Sequence, residues 1–71
     1  MSFIVGDQVR HKSSSRLLVV THIVGSEDIP KVLQAQAQMN GFQKNDVWCE
    51  WLDDTGQKQV SFFRCPTLEK G

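Results

Sequence analysis

The sequence lacks any long apolar run and any excess of charge. No apolar stretch approaches the roughly 18 residues that a membrane-spanning helix needs, and the acidic Asp7 follows closely on the apolar start. We therefore expect neither a membrane span nor a signal peptide, and we expect a cytoplasmic protein. Eight basic side chains balance eight acidic ones, so the net charge is zero and provides no general attraction to phosphates.

Cysteine is also scarce, with only Cys49 and Cys65 in the chain. The chain has no Cys-x-x-Cys pair, and His11 and His22 form no His-x-x-x-His pair, so we predict no metal site and no cofactor. Reduced thiols are expected in a cytoplasmic chain. A cysteine, a histidine and an aspartate could form a catalytic triad, but no Gly-rich elbow or oxyanion site accompanies them. The protein is therefore predicted not to be an enzyme.

The apolar side chains concentrate in residues 46–64, which hold both tryptophans and two of the four phenylalanines. Two runs rich in β-branched and aromatic residues flank Asp54-Thr55-Gly56, a sequence typical of a three-residue hairpin loop that ends in a left-handed glycine. The register that follows pairs these residues on one face: Val47 with Phe63, Cys49 with Ser61, and Trp51 with Gln59. On the other face of the hairpin, the same register pairs Trp48 with Phe62, Glu50 with Val60, and Leu52 with Lys58.

Aromatic residues on both faces of this hairpin indicate either a sharply curved sheet or a second surface that is kept apolar for a partner. We predict a mainly β fold, a small SH3-like barrel of four to five antiparallel strands that forms one domain over residues 1–71. The interior is assigned to the face carrying Val47, Cys49, Trp51 and Phe63. In a chain this short the core must be thin.

The remaining strand signals lie in the first third of the chain and at its end. Residues 8–12 predict a short strand with Val9 inward, and residues 16–24 give the strongest strand signal. The inward choices on this second strand are Leu18, Val20 and Ile23. Their spacing breaks the period of two, which indicates a bulge near Thr21-His22. Residues 65–68 predict a turn that folds Leu68 over an open end of the barrel.

The segment from 29 to 39 fits two structures. Its alternation of apolar residues with glutamines is typical of a strand that ends in an Asn40-Gly41 turn. Its composition favours a helix, which we predict, with Asp28 as N-cap and Asn40-Gly41 as the end. The apolar stripe of that helix consists of Ile29, Val32, Leu33 and Ala37. Residues 26–45 are thus a helical insertion in the barrel.

Several of these residues form a pattern that resembles the YodC-like family of small bacterial proteins of unknown function. The matching positions are Phe3, Gly6-Asp7, Val9, Lys12-Ser13, Leu18, Val20, Ile23, Val47, Cys49-x-Trp51-Leu52-Asp53, Phe63 and Leu68. The chain departs from the family at Ser14-Ser15-Arg16, where Gly-Gly-Pro is usual, and in the inserted segment. The resemblance implies an SH3-like barrel and supplies no activity.

Two surfaces are candidates for function. Trp48, Phe62 and Phe42 are aromatic residues outside the assigned core, and such a face suits docking of a peptide or a second subunit. The alternative is that the helix packs over them and forms a second small core. We predict a non-catalytic module that binds protein through this face, as a monomer or weak homodimer.

The second surface is the basic loop between residues 10 and 16, which contains Arg10, His11, Lys12 and Arg16. Its charges and hydroxyl groups suit phosphate, in the manner of KOW-type barrels that bind RNA. Nucleic-acid binding is therefore the alternative function. The alternative for the loop itself is a solvated hairpin turn, because acidic residues on the central hairpin would repel a phosphate backbone.

Overall fold

A computed structural model describes residues 3–71 of the chain. Its elements in chain order are β1 (Gln8–His11), β2 (Leu17–Ile23), α1 (Lys31–Met39), β3 (Val47–Leu52), β4 (Lys58–Phe63), a 3₁₀ helix (Cys65–Thr67) and β5 (Leu68–Lys70). All strand pairs are antiparallel, in one sheet of order β4-β3-β2-β1-β5. The predicted mainly β architecture of five strands with one inserted short helix is confirmed.

The sheet is curled around its core but is not closed into a full barrel. Two strands separate β1 from β4, which in a flat sheet would place them about 14 Å apart. The ring centroids of His11 and Phe63, which belong to these two strands, nevertheless lie only 6.2 Å apart. No ladder joins β4 to β5 within residues 3–71. A seam therefore remains open beside β4.

The hairpin formed by β3 and β4 has the predicted register throughout, from Val47 opposite Phe63 to Leu52 opposite Lys58. Its loop closes with a hydrogen bond of 2.9 Å from the Asp53 N–H to the Gln57 carbonyl. Gly56 has a φ of +82°, the left-handed conformation that the sequence predicts for this position. The turn residues alone thus fix which side chains share a face.

The core side of the sheet contains the larger apolar cluster. Its buried members are Phe3, Val9, Leu18, Val20, Val47, Cys49 and Leu68. Trp51 and Phe63, which the sequence assigned to the interior, are only half-buried, because they face the open seam. The predicted bulge is confirmed by a register shift between Val20 and His22. It lets β2 bend, and the half-buried Ile23 still packs against the core.

The segment after β2 is a helix, as predicted, and not a strand. It ends in a Schellman motif, in which Phe42 N–H donates to the Ala37 carbonyl and Gly41 N–H donates to that of Gln38. Asp28 is not the N-cap. The helix begins at Lys31, and the N-cap is Pro30, whose backbone is extended. A proline disfavours helical geometry in the residue before it, so the helix does not extend back to Asp28. No helix within residues 3–71 is long and apolar enough to cross a membrane.

The stripe of α1 packs only in part as predicted. Ala37 and the preceding Ile29 are buried and Leu33 is half-buried, whereas Val32 is 68% exposed. Ile29, Leu33 and Ala37 form a second cluster with Val24, on the sheet face opposite the main core. We call that face the outer face. The helix lies over one end of the outer face only, since the rest of its stripe points to solvent.

Asp46 is the one buried charged or polar residue within residues 3–71, and it connects three parts of the fold. Its Oδ2 accepts a hydrogen bond of 2.9 Å from Gln43 N–H at the end of the insertion. Its Oδ1 accepts one of 2.9 Å from Cys65 N–H at the start of the 3₁₀ helix. The 3₁₀ helix in turn brings Leu68 into the core, which confirms the predicted closing turn.

We expect Asp46→Ala to destabilise the protein, because it leaves two part-buried N–H groups without acceptors. Each unsatisfied group costs about 1–3 kcal/mol, so the loss should exceed that of an ordinary surface substitution. The measurement is the free energy of unfolding in urea. Asp28→Ala, at an exposed position before the helix, is the control and should leave stability nearly unchanged. Equal stability of the two variants would contradict the role assigned to Asp46.

Candidate functional site

The aromatic residues singled out in the sequence lie together at the helix end of the outer face. The ring centroids of Trp48 and Phe62 are 4.6 Å apart with an edge-on geometry, and those of Phe42 and Phe62 are 5.1 Å apart. Phe42 and Phe62 pack against the cluster beneath α1, and all three aromatic side chains are half-buried. The helix thus packs over Phe42 and Phe62 and forms a second small core. A role for them in binding stays a prediction.

The other end of the outer face is open. Four apolar side chains are exposed there on three neighbouring strands: Leu17 at 51%, Val19 at 40%, Leu52 at 67% and Val60 at 42%. We call these four residues the open patch. The register places Val19 and Val60 on either side of Glu50, so the patch continues from β2 across β3 to β4.

A groove of about 620 Å³ lies along this patch. Leu17, Val19 and Leu52 form its apolar wall, and the ion pair of Lys58 Nζ with Glu50 Oε1, at 2.9 Å, borders it. Arg16 also lines the groove, and its Nη2 lies 3.3 Å from Asp54 Oδ1 in the hairpin turn. The groove therefore combines an apolar wall with a rim of paired charges, and many protein interfaces have this composition.

The hairpin turn that shapes one end of the groove is fixed by Asp53. Hydrogen bonds from the Thr55 hydroxyl, the Gln59 side-chain amide and the Gln57 main chain hold the pKa of Asp53 at about 2. The carboxylate is therefore ionised across the ordinary pH range and keeps accepting these bonds. The groove is accordingly bordered by a rigid turn.

The basic residues predicted for nucleic acid do not form one surface. Arg10 extends along the outer face to Glu69, at 3.8 Å. His11 packs beside Phe63 on the core side, and Lys12 lies next to the 3₁₀ helix. Arg16 faces the hairpin turn. His11 and Arg16 line one cavity, whereas Arg10 and Lys12 lie elsewhere, and Arg10 and Arg16 already have a carboxylate partner.

Cys49 and Cys65 are not joined in a disulfide, and the first is buried whereas the second is half-buried. Burial raises the pKa of Cys49 to about 12, so its thiol stays protonated and is a poor nucleophile. No group of three or more potential metal ligands occurs within residues 3–71. The Cys49 thiol is therefore held in an inert form.

The open patch was not identified from the sequence. Leu17 and Val19 alternate with the inward Leu18 and Val20, and the signal was present in this run of four apolar residues. Such a run is typical of a central strand that is covered on both faces. The structure places it centrally but leaves one of its faces uncovered at this end.

Comparison with family models, with curated proteins and with solved structures finds no match. The resemblance to the YodC-like family therefore stays a prediction.

The raised pKa of Cys49 predicts a loss of stability in alkali. An unfolded chain releases the thiol proton near pH 9.0, whereas the folded chain retains it up to about 12. The contribution of this group is complete below pH 9.0 and is lost as the pH rises toward 12, because only the unfolded state then gains from ionisation.

The measurement is the urea midpoint as a function of pH for the native protein and for Cys49→Ala. We expect the midpoint of the native protein to fall more steeply above pH 9.0 than that of the variant. Cys65→Ala removes the other thiol, leaves Cys49 in place and serves as the control. Parallel curves for the native protein and Cys49→Ala would contradict the assignment.

Proposed function

We propose that this protein is a small, non-catalytic binding module whose ligand is another protein. The observation that carries the proposal is the open patch, in which four exposed apolar side chains lie side by side on β2, β3 and β4. Single exposed apolar residues are common and need no explanation. A contiguous group of them beside a groove is typical of an interaction surface.

The position of the patch beside an edge strand favours an extended protein segment as ligand. β4 is the last strand of the sheet, and its pairing with β3 uses the main-chain groups of alternate residues. Asp53 and Gln57 form a hydrogen-bonded pair, and such pairs alternate along an antiparallel ladder. The main-chain N–H and carbonyl groups of Lys58, Val60 and Phe62 therefore point away from β3. A partner strand that pairs there would lay alternate side chains over the groove.

The aromatic face predicted from the sequence belongs to the same proposal. Trp48 follows Glu50 and Leu52 on the outer face of β3, so the open patch continues toward Trp48 at the edge of α1. Phe62 contacts the ring of Trp48 and is itself in contact with the ring of Phe42. In this arrangement the aromatic cluster supports one end of the binding surface.

The non-catalytic assignment rests on the burial and the raised pKa of Cys49. Cys49 is fully buried and its pKa is raised, so it is suited to packing and not to covalent chemistry. We also propose a cytoplasmic location, which accords with the absence of a disulfide between Cys49 and Cys65. Nucleic-acid binding has weaker support, because the four basic residues do not share one surface: His11 and Arg16 line one cavity, whereas Arg10 pairs with Glu69 and Lys12 lies next to the 3₁₀ helix.

The test is affinity capture with three immobilised forms of the protein in nuclease-treated extract from the source organism. The forms are the native protein, Leu52→Ser in the open patch, and Ile4→Ser outside it. Leu52 and Ile4 are matched, with exposures of 67% and 68%. We expect the native protein and Ile4→Ser to retain the same protein at similar levels, and Leu52→Ser to retain at least about tenfold less.

Two results would contradict the proposal. The first is equal retention of every captured protein by all three forms, which would remove the open patch from binding. The second is recovery of nucleic acid instead of protein when nuclease is omitted, with the loss following Arg16→Gln and not Leu52→Ser. Both serine variants should be checked for native thermal stability before capture.

A further inference from the structure

A second cavity lies on the core side of the sheet, at the open seam. It has a volume of about 240 Å³ and lies between the loop after β1 and the β3–β4 hairpin. Its lining residues are His11, Ser14, Arg16, Leu18, Trp51 and Phe63. We call this cavity the seam cleft. It is separate from the groove of the outer face, although Arg16 and Trp51 border both.

The apolar part of the cleft is made of aromatic rings. The ring centroids of Trp51 and Phe63 are 5.8 Å apart at an angle of 62°, and those of His11 and Phe63 are 6.2 Å apart. Leu18 closes the cleft toward the core. Ligand sites for drug-sized molecules are usually about 300–1,000 Å³, so this smaller cleft suits a single apolar side chain.

One residue that lines the cleft carries a hydrogen-bond donor without an acceptor. Trp51 Nε1 is buried and has no hydrogen-bond partner within residues 3–71. A buried indole N–H normally finds an acceptor, and an unpaired one is costly. This donor therefore indicates that an acceptor from another molecule completes the site.

The other polar lining groups are also able to donate. Arg16 contacts Asp54 at 3.3 Å through one nitrogen, and its guanidinium has further N–H groups available. Ser14 Oγ accepts the Arg16 main-chain N–H, which leaves its hydroxyl hydrogen free to donate. His11 Nδ1 accepts from Ser13 N–H, so a neutral ring carries its hydrogen on Nε2.

No carboxylate within residues 3–71 lines the cleft. None of the six lining residues is acidic. Asp53, which follows Trp51 on the same face, uses its carboxylate oxygens for Thr55, Gln57 and Gln59. Asp54 lies at the exposed tip of the turn and contacts Arg16 only from outside. The seam cleft thus presents donors beside an apolar cavity.

We propose that the seam cleft binds the C-terminal residue of a partner protein. A chain end with an apolar side chain carries both required groups on one Cα, the side chain for the aromatic rings and a carboxylate for the donors. The carboxylate accepts from Trp51 Nε1 and from Arg16, in charge-assisted hydrogen bonds. This inference rests on the proposed protein-binding function and names the part of the partner that is recognised.

The experiment uses two short peptides as probes and the tryptophan indole N–H signals in ¹⁵N NMR as the readout. The first probe is acetyl-Gly-Gly-Leu with a free carboxylate, and the second is the same peptide ending in an amide. We expect the acid to shift the Trp51 indole signal saturably and to bind about tenfold or more tightly than the amide. The indole of Trp48, on the outer face, is the internal control and should not shift.

Two matched variants test the donor set. Arg16→Gln removes the charged donor of the cleft, and Lys12→Gln removes a cation of the same loop that does not line the cleft. We expect Arg16→Gln to weaken binding of the acid peptide about tenfold or more and Lys12→Gln to change it less than about twofold. Both positions are exposed, so both variants should fold.

Any of three results would overturn the inference. These are equal binding of the acid and amide peptides, equal losses in the two glutamine variants, and a 4-methylpentanoate affinity equal to that of the acid peptide. The last would show that a free acid, and not a chain end, is recognised. These outcomes are distinguishable from those of the capture experiment, since Leu52→Ser changes no lining residue of the seam cleft and the comparison of acid with amide peptide changes no residue of the open patch.

Discussion

The buried carboxylate of Asp46 is the constraint on which the rest of the arrangement depends. It joins the end of the inserted segment to the start of the 3₁₀ helix through two hydrogen bonds of 2.9 Å. Because β3 begins at the next residue, the position of the hairpin is fixed relative to both neighbours. A short chain has little core with which to hold an insertion of this length, and a buried polar anchor performs that task.

Fixing the insertion in this way divides the outer face of the sheet. The helix covers the end that carries Phe62 and leaves the open patch at the other end exposed. The incomplete curl of the sheet creates the second opening, because β4 stops short of closure and leaves Trp51 and Phe63 half-buried. Both proposed binding sites are thus consequences of apolar surface that this fold does not cover. Arg16 and Trp51 lie between them, so one ligand is able to contact both.

Local chemistry explains what the sequence predicts well. The hairpin register follows from the Asp-Thr-Gly turn, the bulge from the broken alternation after Val20, and the helix from its composition and its Asn-Gly end. The exposure of Trp51 was not predictable, because it depends on whether the sheet closes, and closure depends on contacts between residues far apart in the chain. For the same reason an aspartate at position 46 gave no sign that it would be buried. The open patch lay in a visible apolar run, but only the placement of α1 decides which part of that run is covered.

Amide hydrogen exchange of the protein with and without its captured partner tests the central claim most directly. The claim is that the open patch and the free edge of β4 form the binding surface. Partner binding should therefore slow exchange at Lys58 and Val60, whose N–H groups point away from β3, and leave α1 unchanged. Slower exchange confined to α1, or to the loop between β1 and β2, with no change along β4, would contradict it.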